Sequence, residues 1–351
     1  MKGRKLFALH SILGLITGVL LLVISLSGSI LVFSDEIDHA LNTDILKVTP
    51  RHEKVSLDSA YRTALKSFPG GFVRIRQLPA QSNHSIEFSV EKGENWTFAY
   101  INPYTGKLTG SRNARTYFIG WVLLLHYSLL GGTIGELLVA ILSITLMLSV
   151  ITGLVVYRKH LFKVITFKIK FSFSNWRKAS SSLHRIIGVW SLIFNLIFAI
   201  TGFWMLRYVF QPSTYQQQSK QQLVNTPFSV SLDSLVHTSK STFKGFAPAA
   251  VLLPESKEDN MRIYGAVSSQ NSLFDKYSNF IEFQTDQVKE VRRSNITSTS
   301  LMEQWDAIDY TLHSGHWGNT IIKLIYCLAG LTPGLLSITG FALWYRKKKR
   351  R

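Results

Sequence analysis

Four long apolar blocks, at residues 6–33, 134–157, 186–206 and 321–345, constrain this chain more than any other feature. A bilayer hydrocarbon core about 30 Å thick is crossed by roughly 20 residues of helix, and every block is long enough. The sequence therefore predicts an α-helical membrane protein with four transmembrane helices and excludes a soluble globular fold. The first block starts like a signal peptide, but its apolar run is longer than a usual h-region and continues past Ser27-Gly28-Ser29, so it reads as a retained membrane helix.

The formal net charge of +18 would suit a nucleic-acid partner if it were spread over a folded domain. It is not spread. Lys2, Arg4 and Lys5 precede the first block, and six basic residues fill 346–351. Between blocks two and three stand Arg158, Lys159, Lys163, Lys168, Lys170, Arg177, Lys178 and Arg185, with no Asp or Glu among them. These groups hold nearly all the excess. Basic residues gather on the cytoplasmic side of membrane helices, so both termini and the middle loop are expected inside, with no nucleic-acid partner. The polar segments 35–116 and 208–311 are then expected outside. The single cysteine, Cys327, lies in the fourth block and allows neither an internal disulfide nor a thiolate metal site.

The chain repeats itself. Leu9-His10 precedes Ser27-Gly28 by 17 and 18 residues from the histidine, and Leu183-His184 precedes Thr201-Gly202 by the same spacing. Leu125-His126 and Leu312-His313 stand 26 and 27 residues before Thr152-Gly153 and Thr339-Gly340. The outer segments open alike, on Ser56-Leu57-Asp58-Ser59 and Ser231-Leu232-Asp233-Ser234, each expected to hold a helix and then a small sheet. Strand-like alternation runs from Trp96 to Ile101 and ends in an Asn102-Pro103-Tyr104-Thr105-Gly106-Lys107 turn. The expected organisation is two parallel repeats: helix 1–34, outer α+β domain 35–116, interfacial segment and helix 117–157; a basic loop 158–182; then helix 183–207, outer domain 208–311, helix 312–345 with an interfacial start, and a basic tail 346–351. A Gln-rich linker is expected at 211–230.

Of ten histidines, four fall at repeat-equivalent places, one per membrane-associated helix. His39, His52, His84, His160, His237 and His316 lie outside the pattern and read as surface or loop histidines, with His316 a spare candidate. In parallel repeats, equivalent positions oppose each other across the axis. His10 then faces His184 and His126 faces His313, one pair per side of the membrane. Two opposed imidazoles in a bundle core can bind one haem iron axially. No Cys-x-x-Cys-His attachment motif is present, so two b-type haems are the expectation, and two imidazoles alone make a poor zinc site. Ionisable residues in membrane helices tend towards function. Lys323, ten residues after His313, matches Glu136, ten after His126; the two either pair across the axis or Lys323 meets a haem propionate. Gly14 and Gly188, one turn after their histidines, leave room for a flat macrocycle. The Ser/Thr-Gly steps let helices approach closely. Trp121, Tyr127 and Trp317 either stack on the haem or form an interfacial belt. A continuous helix from His126 to Arg158 would be about 48 Å long, so a break is expected at Gly131-Gly132.

These four helix motifs, with Leu125-His126-Tyr127-Ser128-Leu129-Leu130, Leu312-His313-Ser314-Gly315-His316 and Ile338-Thr339-Gly340-Phe341 among them, resemble the PepSY-associated transmembrane family. The first outer segment looks like a PepSY domain ending in Asn102-Pro103-Tyr104-Thr105-Gly106; the second lacks that turn. The family includes iron-regulated bacterial inner-membrane proteins similar to siderophore-iron reductases. The resemblance implies a multi-pass inner-membrane oxidoreductase that carries electrons outward and reduces a ferric siderophore in the periplasm, releasing Fe(II). No nucleotide or flavin fingerprint is visible, so the donor is expected to be external, a quinol or a cytoplasmic reductase. The residues name no catalytic group. A non-redox PepSY-type protein acting on a periplasmic partner or peptidase is the alternative. A transporter ranks last, because four helices with few buried charges make a poor substrate path.

Overall fold

A computed structural model describes residues 2–168, 171–172, 174–215, 223, 225–256 and 258–348. The expected linker 211–230 and basic tail 346–351 fall partly outside the described residues, as does Lys170. The helices are α1 (Lys2–Leu31), α2 (Ser34–Leu41), α3 (Thr43–Leu46), α4 (Leu57–Ser67), α5 (Phe118–Ser128), α6 (Gly132–Tyr157), α7 (Leu161–Ile165), α8 (Trp176–Trp190), α9 (Leu192–Met205), α10 (Leu232–Thr242), α11 (Leu301–Ser314), α12 (Thr320–Gly330) and α13 (Thr332–Lys348). The strands are β1 (Phe72–Gln77), β2 (Ile86–Lys92), β3 (Asn95–Ile101), β4 (Leu108–Asn113), β5 (Phe246–Leu252), β6 (Met261–Val267), β7 (Asn279–Phe283) and β8 (Glu290–Ser294). Two units result. One is helical, from Met1–Ser34, Val122–Gln217 and Leu312–Arg351; the other holds the sheet, from Asp35–Trp121 and Gln218–Thr311.

In the helical unit three helices are long and apolar enough to cross a membrane, and a fourth span exists if the bent pair α8–α9 is counted as one. α1 packs against α6, α12 and α13; α6 against α9; and α13 against α8. The helix expected at 183–207 differs from the structure on two points. It begins earlier, at Trp176, because the Asn175 side chain accepts from the Lys178 N–H and caps it. It also bends by 64° at Ser191. Part of the expected basic loop 158–182 is therefore helical. The last span holds a single turn residue, Leu331, between α12 and α13, next to Pro333, which has no N–H to give. Ser25 of α1 serves this break: its hydroxyl donates to the Gly330 carbonyl at 2.5 Å and accepts from the Gly334 N–H at 3.1 Å. In a membrane interior such groups need partners inside the protein.

The sheet unit corrects a second expectation. Instead of two small sheets, one eight-stranded antiparallel sheet runs β4-β3-β2-β1-β5-β6-β7-β8. The two four-stranded halves join where β1 pairs with β5 at Ile75↔Val251. An edge strand exposes unpaired backbone groups, and joining edge to edge removes two such rows. α4 and α10 cover one face, burying Ala60, Ala64, Leu232 and Leu235 against Val73, Ile75, Phe88, Ile263 and Ile281. The expected turn between β3 and β4 forms: the Asn102 side chain accepts from the N–H groups of Tyr104 and Thr105, and Gly106 takes φ +67.

The two Ser-Leu-Asp-Ser motifs do more than start helices. Ser56 and Ser231 cap α4 and α10. Asp58 accepts from the Leu232 N–H at 3.0 Å and the Ser231 hydroxyl at 2.6 Å, while Asp233 accepts from the Leu57 N–H at 2.9 Å and the Asp58 N–H at 3.3 Å. Each carboxylate thus serves the other helix's N-terminus. Partial burial pushes the Asp58 carboxyl up, but the hydrogen bonds from Ser231 and Leu232 outweigh it and hold it below its ordinary 3.8. A depressed carboxyl stabilises the fold above its unfolded-state value and loses that contribution as pH falls through the folded one. Asp58→Ala is expected to cost about 0.5–2 kcal/mol at neutral pH, with the difference from wild type vanishing on acidification. Thermal unfolding of both proteins across the acid range checks this.

Candidate functional site

The four patterned histidines come from four helices of the helical unit. His10 of α1 and His184 of α8 stand with ring centroids 6.1 Å apart and planes at 79°. His126 of α5 and His313 of α11 are also 6.1 Å apart, at 61°. Both pairs are those expected from the sequence. His316 Nε2 lies 3.1 Å from the Val32 carbonyl. Lys323 is the fourth residue of α12 and Glu136 the fifth of α6.

Each histidine is seated on a neighbouring helix by a Ser/Thr-Gly step. His10 Nδ1 lies 3.1 Å from the Ser149 carbonyl and 3.3 Å from Thr152 Oγ1. His126 Nδ1 lies 3.0 Å from the Ile24 carbonyl and 3.2 Å from Ser27 Oγ. His184 Nδ1 is 2.9 Å from Thr339 Oγ1, and His313 Nδ1 is 2.8 Å from Thr201 Oγ1. The following glycine gives each ring its space. A Cβ on Gly28, Gly153, Gly202 or Gly340 would stand 2.7, 3.2, 3.4 or 3.5 Å from Cε1 of His126, His10, His313 or His184 respectively. The sequence reading took these steps as close helix packing. Their partners are rings as much as helices, a role that depends on which helices become neighbours.

A carbonyl can only accept, so His10 and His126 donate through Nδ1 and keep their lone pair on Nε2. That is the form in which imidazole binds a metal, with the other nitrogen fixed by a hydrogen bond. Two imidazoles on opposite sides of one metal ion, with metal–nitrogen bonds of about 2.0 Å, hold their centroids about 6.3 Å apart. The observed 6.1 Å is close to that value. Among the described residues no group of three or more His, Cys, Asp or Glu could hold a metal ion.

The break expected at Gly131-Gly132 is present. Leu129, Leu130 and Gly132 take φ of 49°, 60° and +55°, ending α5 before α6 begins. His126 consequently lies against Ser27-Gly28 near the end of α1, not on an extension of α6. Along α1 the 17 residues from His10 to Ser27 rise about 26 Å. Of the expected aromatics, Trp317 donates through Nε1 to the buried Tyr326 hydroxyl at 3.3 Å. The ring beside His313 is Phe198, at 5.7 Å, which no sequence pattern marked. In the sheet unit His39 and His84 stack at 4.7 Å; their sequence spacing carries no signal of this.

The model of a family described as the PepSY-associated TM region matches residues 7–347. A search of curated proteins finds no match.

Proposed function

The chain belongs to the PepSY-associated transmembrane family, and from that premise we propose that it is a haem-dependent electron-transfer protein of a bacterial inner membrane that reduces ferric siderophore on the periplasmic side. The observation that carries this reading is the pair of histidine couples, each 6.1 Å between centroids. His10 and His184 would hold one b-type haem, His126 and His313 the other. The surroundings fit a flat macrocycle. A Cβ on Gly14, one turn from His10, would meet nothing within 4 Å, and one on Gly188, one turn from His184, would meet only the Leu336 side chain, at 3.6 Å. When bound, haem supplies a reversible one-electron iron couple tuned by its axial ligands and their hydrogen bonds.

The chain's own residues do the rest. The histidines fix two sites about 26 Å apart along α1. The basic groups before α1 and between α6 and α9 argue for a cytoplasmic N-terminus, which puts His10–His184 near the donor and His126–His313 near the acceptor. The donor, a quinol or a cytoplasmic reductase, gives one electron per cycle. The ferric chelate, as substrate, takes one electron and becomes Fe(II), which its oxygen ligands hold less tightly. Lys323 is the residue proposed to meet a propionate.

Protein purified from haem-replete cells is expected to show a reduced-minus-oxidised b-type spectrum with two haems per chain. A colourless preparation from such cells would overturn this reading in favour of a non-redox binding protein. His316→Ala is expected to keep both haems, because that ring is engaged with the Val32 carbonyl.

A further inference from the structure

We propose that Thr201 is a positioning residue that holds His313 in its metal-binding tautomer without the main-chain carbonyl that backs the hydroxyls at His10 and His126. This rests on the haem reading for its consequence but not for its geometry. A threonine hydroxyl has one proton. Thr201 Oγ1 gives it to the Ile197 carbonyl, four residues back on α9, at 2.6 Å. The oxygen can then only accept from His313, so Nδ1 carries the ring proton and Nε2 the lone pair.

Two of the other rings have a second safeguard. His10 and His126 reach the main-chain carbonyls of Ser149 and Ile24, and no side-chain substitution removes those. His184 Nδ1 meets Thr339, whose own proton goes to the Leu335 carbonyl at 2.8 Å, an arrangement like that of His313 and Thr201. His313 Nδ1 has Thr201 alone among the described residues. Thr201 is 1% exposed, so water does not readily replace it. Without the hydroxyl, nothing favours the proton on Nδ1 over Nε2, and a protonated Nε2 is no ligand.

Thr201→Val keeps the shape and removes the acceptor; Thr201→Ala removes it without filling the space; Thr201→Ser keeps the oxygen. Two readouts apply. The first is the nitrogen-15 shift of the His313 ring in protein prepared without haem. Wild type and Thr201→Ser are expected to show protonated Nδ1, Thr201→Val and Thr201→Ala a mixture of tautomers. The second is haem titration. Loss of such a partner weakens a metal site about 10- to 100-fold, and this is expected at one of the two sites in Thr201→Val but not in Ser27→Ala, where the Ile24 carbonyl remains. An unchanged tautomer and unchanged haem affinity in Thr201→Val would overturn the inference. Should wild type bind no haem at all, the haem reading fails, and the nitrogen shifts still decide the role of Thr201.

Discussion

His313→Ala and His126→Ala are each expected to leave one haem per chain where the proposed function gives wild type two, and each to abolish reduction of the ferric chelate. The haem that remains is the one at His10–His184, because the two couples share no residue and stand about 26 Å apart along α1. A single imidazole cannot hold a six-coordinate iron from both sides. Loss of a mere hydrogen-bonding partner weakens a metal site about 10- to 100-fold, so loss of the ligand itself is expected to exceed that. His10→Ala gives the converse. The remaining haem is expected to be reduced by dithionite but not by the physiological donor, since the site nearer the donor would be gone. Pyridine haemochrome counts and donor-driven reduction rates separate the cases. Retention of two haems in both His126→Ala and His313→Ala would show that the couples do not bind them.

The pairing behind this result was legible because it is written in spacing. A histidine followed 17 or 26 residues later by a hydroxyl-glycine step, twice each, survives any detail of helix tilt. What the spacing does not encode is which helix lies beside which. Thr152 holds the histidine of α1 and Ser27 holds that of α5, so each step serves a ring on another helix. That arrangement exists only once α1 lies beside both α6 and α5. The same limit explains the sheet. Ile75 and Val251 each read as strand residues, but their pairing joins segments far apart in the chain, and alternation along a strand says nothing about its neighbour. The bend at Ser191 was missed for a different reason. The apolar run continues unbroken through it, and Ser191 turns its hydroxyl to the Ile187 carbonyl and takes the Asn195 amide, local bonds that hydropathy does not see.

Gly28→Val is expected to empty the His126–His313 site without touching a ligand. A Cβ at residue 28 stands 2.7 Å from His126 Cε1 and 3.2 Å from its Nδ1, closer than atoms tolerate, so the ring must move. It has no free direction in which to do so, being tied through Nδ1 to the Ile24 carbonyl and Ser27. Gly28→Ala is the milder version and gives the sharper sign test. Replacing a helix-interior glycine by alanine favours the helix by up to about 1 kcal/mol. Packing strain against a movable ring opposes part of that gain. The expected outcome is therefore haem lost from one site while the fold is not weakened in proportion. Gly340→Ala is the internal control, because its Cβ would sit at an ordinary 3.5 Å from His184 Cε1. If Gly28→Ala and Gly340→Ala behave alike, the glycine beside His126 is a packing residue and not the seat of a ligand.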